Sequence, residues 1–337
     1  MPYRRLDLLA SDVTLEDITS ALGDYEPADL FLTKRNDGMD LASIVLDESY
    51  TEPVTDALEK RFGKREHFQL LVYDIAARLP RPEQDEENAQ PEQDKPESKA
   101  RISREELLND LEPGSRVRGI YLAQVVISCI VAAVGMIRDS VTLVIAAMVI
   151  APLLLPSMSL ALGTTIGDLR MIFRSVLTSI AGVAVGLALS VAIGFIVPFD
   201  PQVGEIASRA VVSYTDLVVA LAAGGAGALA VTTGVSASLI GVMVAVALMP
   251  PLVAAGLFLG DGDFASATMA TLLLASNIVC VNLAAMGVFL IQGVRPSNWA
   301  EKNRARLAVR HALVVWLVLL VALVLLIAFA EPRNLMK

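Results

Sequence analysis

Ala146-Ala147-Met148-Val149-Ile150-Ala151-Pro152-Leu153-Leu154-Leu155-Pro156 is an uncharged apolar stretch with two prolines set into it. Proline removes a backbone donor and crowds the preceding turn, so a helix carrying it bends or breaks. In a bilayer such a break is tolerated only where the freed backbone is buried in protein or lines a wet cavity. A second stretch has the same character: Gly241-Val242-Met243-Val244-Ala245-Val246-Ala247-Leu248-Met249-Pro250-Pro251-Leu252. Two proline-interrupted segments in corresponding halves of a membrane protein point to a binding site between the halves. Pro152, Pro156, Pro250 and Pro251 are therefore the first expected site residues.

Composition places these stretches in a membrane. Hydrophobic residues make up 55% of the chain, and mean hydropathy is +0.59. Charge is uneven: residues 1–100 hold 12 Lys and Arg against 23 Asp and Glu, whereas residues 101–337 hold 15 against 13. The acidity belongs to the N-terminal part and argues against nucleic-acid binding, which favours basic patches. No lysine lies between Lys99 and Lys302, as a bilayer-embedded core requires.

From Ile120 onward, segments near the ~20 residues of a spanning helix follow one another. The expected spans are 120–137, 140–164, 171–197, 216–231, 236–259, 264–291 and 308–330, within a transmembrane domain at 115–331. The second and fifth carry the prolines and are expected to be broken. Arg116 and Arg118, then Arg170 and Arg174, then Arg295 through Arg310 fall on one side of a seven-span plan. That side is the cytoplasm by the positive-inside rule, with the C-terminus outside. The expected location is the cytoplasmic (inner) membrane of a bacterium or archaeon, with the lipid bilayer as partner.

A shift of 95 residues superposes Met148 on Met243, Pro156 on Pro251 and Gly167-Asp168 on Gly262-Asp263. Each half then has a span, a proline-interrupted span, a Gly-Asp turn and a long span. Three spans is an odd number, so the second half enters the membrane inverted: a 3+3 inverted repeat. Gly182 with Gly186, and Gly224, Gly225 and Gly227, read as close-packing surfaces. Such faces also suit a homodimer or higher homo-oligomer.

Three amides at depth, Gln124, Asn277 and Asn282, need partners and are expected to point inward, where they contact solute or bond across helices. Cys129 and Cys280 sit in apolar runs with no His or Cys at metal-ligand spacing, so buried apolar cysteine is the reading. No cofactor, metal or catalytic residues are expected, and no deep acid–base pair supports an enzyme.

Residues 1–78 read as a small cytoplasmic α+β domain; no apolar signal-peptide region opens the sequence. Thr14 with Asp17 resembles a capping box. Leu15, Ile18 and Leu22 form one helical face, and Val54, Leu58 and Phe62 another. The β-α-β-β-α-β order matches the ferredoxin-like pattern. Residues 79–101 are an acidic linker with too few apolar residues to order itself. Residues 102–114 form a short amphipathic helix, expected on the membrane surface or against the first domain.

The stretches Met148-Val-Ile-Ala-Pro-Leu and Val246-Ala-Leu-Met-Pro-Pro-Leu, with Gly167-Asp168, resemble a family of bacterial and archaeal membrane proteins called domain of unknown function 389. The resemblance covers roughly residues 115–295, and it implies a membrane protein that often carries a small N-terminal soluble domain. Leu154 and Leu155 make the first motif more apolar than the family's Gly-containing form. No reaction, substrate or site residue follows from it. Two functions fit: a transporter or channel for an ion or small polar solute, and a non-transporting sensor or scaffold whose N-terminal domain binds a ligand or partner.

Overall fold

A computed structural model of the chain describes residues 3–34, 39–47, 50–75, 104–233, 237–294, 314–325 and 327, with backbone alone at 237–247. The chain divides into two units, Met1–Arg104 and Glu105–Lys337. The linker expected at 79–101 lies outside the described residues.

In the first unit the elements are β1 (Tyr3–Ser11), α1 (Leu15–Leu22), β2 (Asp29–Lys34), β3 (Met39–Asp47), α2 (Thr51–Phe62) and β4 (Gln69–Ile75). The sheet is antiparallel throughout with strand order β2-β3-β1-β4. Strand side chains alternate between faces. Leu6, Leu8 and Ala10 of β1 and Ala42, Ile44 and Leu46 of β3 therefore meet Ile18, Leu22, Val54, Leu58 and Phe62 of the helices in one core. Thr14 caps α1 by accepting from the Asp17 N–H. The opposite face carries Asp7, held by Arg5 through two bonds of 2.7 and 3.0 Å and by the Ser43 hydroxyl at 2.6 Å. Phe31, Leu71 and Tyr73 stand exposed on that face.

A charged clamp joins the two helices and the end of β1. Asp17 accepts from Arg61 at 2.8 Å and from Arg65 at 3.0 Å. Arg65 also bonds the Ser11 and Asp12 carbonyls and lies 4.8 Å from the centre of the Phe62 ring. The Arg61 and Arg65 hydrogen bonds pull the Asp17 pKa from 3.8 down to about 2.

The second unit opens with α3 (Arg104–Leu111) and a 3-10 turn, Glu112–Ser115. Then come α4 (Gly119–Ile137), α5 (Val141–Ile150), α6 (Leu154–Ile166), α7 (Leu169–Ile196), α8 (Gly204–Ala207), α9 (Tyr214–Thr232), α10 (Ala237–Asp261) and α11 (Phe264–Ile291). Among the described residues four helices, α4, α7, α9 and α11, are long and apolar enough to cross a membrane, and five if α5 and α6, bent by 50°, count as one span. The last expected span is helical over Val314–Leu325.

The 3-10 turn is not laid out on a surface. Its Gly114 backbone sits against Leu155 and Ser159 of α6, and the Ser159 hydroxyl donates to the Leu111 carbonyl at 2.6 Å. The Thr178 hydroxyl of α7 donates to the Ser115 carbonyl at 3.0 Å. The segment thus docks in the cleft between α6 and α7.

Residues Pro156–Thr165 of α6 and Leu248–Phe258 of α10 are buried on every side, as apolar helices at a bundle centre are. Around them, α7 packs on α6 and α10, while α11 packs on α9, α10 and α6. The buried face of α7 is a stripe of small residues, Ser175, Thr178, Gly182, Gly186, Ser190 and Gly194; its outer face bears Phe173, Ile180 and Phe195. At 28 residues each, α7 and α11 reach about 42 Å and exceed the ~30 Å hydrocarbon core, so they tilt or project.

The first proline stretch breaks as expected. The second does not: α10 runs as one helix through Pro250 and Pro251. Under the 95-residue shift Pro152, at the break, falls on Ala247, so the second stretch lacks a proline there. Pro251 corresponds to Pro156, which lies in the first turn of α6, where an absent N–H costs little. In α10 the same residue merely leaves a carbonyl one turn back without its donor.

Two outcomes follow from these contacts. A Cβ on Gly194 would stand 2.4 Å from the Leu257 carbonyl oxygen, whereas one on Gly225 meets nothing closer than 3.9 Å. Gly194→Ala should cost about 1–3 kcal/mol in the thermal unfolding of the purified protein, with Gly225→Ala near neutral. Asp17 has a depressed folded pKa, so its contribution is present above the unfolded value and lost as pH falls toward 2. Asp17→Asn should lower the melting temperature of the β-sheet unit at pH 7, and the gap to wild type should close near pH 2.

Candidate functional site

The break begins where α5 runs out of donors. Its closing bond is Ala151 N–H to the Ala147 carbonyl at 3.0 Å. Ala151 is then extended, with φ −65 and ψ 121. Pro152 has no N–H to offer the Met148 carbonyl. Leu153 occupies the N-cap of α6 without a side-chain cap bond, and its carbonyl takes the Ser157 hydroxyl at 3.2 Å. From α4, the Ser128 hydroxyl reaches across to the Ala147 carbonyl at 2.6 Å. Side chains thus supplement the backbone on both sides of the turn, as irregular backbone at depth requires.

The two proline stretches meet. Met148, Ala151 and Leu153 of the first share one buried cluster with Leu248, Met249 and Leu252 of the second, together with Val125, Cys129 and Ala132 of α4. Pro156, Pro250 and Pro251 are buried and Pro152 is half-buried. Cys129 Sγ lies 3.8 Å from Met249 Sδ, immediately before the proline pair.

The amides divide. Asn277 and Asn282 are buried in α11. Asn282 donates through Nδ2 to the Ile278 carbonyl at 2.8 Å, and its Oδ1, on a residue 1% exposed, meets no donor. Gln124 lies on the exposed side of α4 and does not join the cluster, which corrects its assignment to the interior. The buried side of α4 is instead Tyr121, Val125, Ser128, Cys129, Ala132 and Met136. Their spacing of three and four was readable as a face, and it would have selected Ser128 and Cys129 over Gln124.

Chemically, the site offers carbonyls, hydroxyls, amides and sulfur. Among the described residues no three His, Cys, Asp or Glu side chains come together. Such groups can bind and orient a ligand through hydrogen bonds and soft contacts.

Comparison with known proteins agrees with the sequence resemblance. A family profile described as domain of unknown function (DUF389) matches residues 148–283, which include both proline stretches. An uncharacterized protein of Methanocaldococcus jannaschii is 31% identical over 279 residues, spanning 83% of this chain and 84% of that protein. No solved structure matches the chain.

The Ser128 bond is a direct test of how the break is held. Ser128→Ala should lower stability by about 1 kcal/mol and raise hydrogen exchange at the Ala151 amide, measured by mass spectrometry in detergent.

Proposed function

The chain belongs to the DUF389 family, and from that premise we propose that it is a multi-pass membrane protein built from two inverted halves, through which a small ion or polar solute passes. The observation that carries the reading is the buried break at Ala151–Leu153 lying beside the second proline stretch.

The repeat is supported in detail. α7 and α11 are both 28 residues long and start 95 residues apart, at Leu169 and Phe264. Two backbone bonds of the turns before them correspond at the shift: Asp168 N–H to Gly163 and Asp263 N–H to Phe258, then Ile172 N–H to Asp168 and Ala267 N–H to Asp263. Gly167 and Gly262 both take positive φ, at 78° and 89°. The contact of Cys129 with Gly186 recurs at the shifted positions as Gly224 on Val281, with the small residue moved to the other partner.

Full crossing of the bent pair is supported by the loops. The Asp139 carboxylate accepts from the Glu205 N–H at 2.9 Å, so the chain after α4 and the chain after α7 meet on one side. A re-entrant α5–α6 would put them on opposite sides. With the basic residues at Arg116, Arg118, Arg170 and Arg174 on the other face, the reading is seven spans in the cytoplasmic membrane, N-terminus inside and C-terminus outside. The first unit, by its strand order and split βαβ connections, reads as a ferredoxin-like domain.

One feature favours the second function, a sensor or scaffold without transport. α10 is continuous, and the cluster around Met249 and Leu252 is apolar and fully buried. The exposed Phe31, Leu71 and Tyr73 would then form the partner surface of the first unit.

Purified protein in liposomes, screened for solute flux and for solute-dependent thermal stabilisation, separates the two. Pro152→Ala, Pro156→Ala, Pro250→Ala and Pro251→Ala are compared with wild type. Weakened binding in at least one variant is expected. A solute bound equally by all four variants would move the site elsewhere, and a dry, closed interior in a lipid-embedded density map would support the sensor.

A further inference from the structure

We infer that Cys129 and Met249 form a two-sulfur site for a soft monovalent cation of the Cu(I) or Ag(I) class. The inference names a ligand for the passage proposed above and rests on that reading for its biological sense; the binding itself is tested without transport. The thiol and thioether come from helices 120 residues apart in sequence and stand 3.8 Å apart. Metal–thiolate bonds of about 2.3 Å let one ion touch both.

Three further observations converge there. Both residues are 0% exposed and belong to the cluster that holds the α5–α6 break, so an ion bound between them would lie next to both proline stretches. Gly186 brings α7 against the thiol, and a Cβ there would stand 3.1 Å from Sγ. The Ser190 hydroxyl, one turn further along α7 and also 0% exposed, lies beside the same thiol and lacks a hydrogen-bond partner of good geometry.

Charge decides the ion class. Among the described residues, the cluster around the two sulfurs contains no carboxylate to neutralise a cation, and an uncompensated charge in such an interior is very costly. When a monovalent ion binds, the Cys129 S–H bond breaks, the proton leaves to water and a metal–sulfur bond forms. The Met249 thioether adds a neutral lone pair, and nothing is oxidised or reduced. Cation and thiolate then sum to zero. A divalent ion would leave one positive charge, and alkali cations favour oxygen ligands over sulfur. Cys280 provides the contrast: it packs among Val212, Leu217, Ala220, Leu273 and Ile327, a cluster without methionine.

The test uses the purified full chain in detergent, with Cu(I) under reducing, oxygen-free conditions and Ag(I) as a redox-inert probe. Affinity is read by competition with a chromophoric Cu(I) chelator, and ligation by the ultraviolet thiolate-to-Cu(I) charge-transfer band. The expected result is one ion per chain. Cys129→Ser should abolish the band, Met249→Leu should weaken affinity at least about tenfold, and Cys280→Ser should leave both unchanged. Met249→Leu keeps the core volume, so it carries the test if Cys129→Ser fails to fold. Absence of binding by folded wild-type protein overturns the site as a packed core contact only, as does equal binding by Met249→Leu or an effect confined to Cys280→Ser. Either result leaves passage of another solute standing, and ion binding without flux would fail the transport reading alone.

Discussion

α7 and α10 touch backbone to backbone. A Cβ on Gly194 would strike the Leu257 carbonyl, one on Gly256 would strike Ser190, and one on Gly260 would strike the Val191 carbonyl. In lipid the hydrophobic effect does not drive helices together, so association depends on such close packing. The consequence is a close seam between α7 and α10 along Gly194, Gly256 and Gly260. α10 must be wholly enclosed for its two prolines to persist in a helix, since their absent donors leave carbonyls that only protein can shelter. The small-residue stripe of α7 is therefore what allows an unbroken α10.

The same enclosure shapes the chemistry. Ser128, Ser157, Ser159, Thr164 and Thr165 all give their hydroxyls to backbone carbonyls. They are committed to the fold before any ligand arrives. Among the described residues, the Asn282 carbonyl oxygen and the Ser190 and Ser175 hydroxyls are buried without such a bond, and the two sulfurs contact each other. These groups are neutral.

Much of this architecture was legible beforehand because a bilayer makes length and apolarity nearly sufficient. The expected segments up to residue 291 begin and end within two residues of the long helices α4 to α11, with α5 and α6 sharing one segment, and the Asp168 and Asp263 caps stand at the Gly-Asp turns. The second proline stretch was expected to break and does not; Pro250 and Pro251 lie inside α10. The inward side of α4 was legible too, in the three-and-four spacing of Tyr121, Val125, Ser128, Cys129, Ala132 and Met136, whereas the polarity of Gln124 pointed the other way; Gly182 and Gly186 of α7 receive that face. Other features were not legible. The meeting of Cys129 with Met249 has no spacing to announce it. The docking of the 3-10 turn rests on a glycine and two hydroxyls that read equally well as a helix end.

That docked turn gives the chain a fixed anchor point. The residues leading out of the first unit do not run directly into α4; they are first pinned at Leu111 and Ser115 to α6 and α7. Tension along the chain would therefore be borne by Ser159 and Thr178, close to the start of the bent helix, before it reached the first span. With Leu111 and Ser115 bonded to Ser159 and Thr178, the chain enters α4 already fixed to the helix that begins at the Ala151–Leu153 bend.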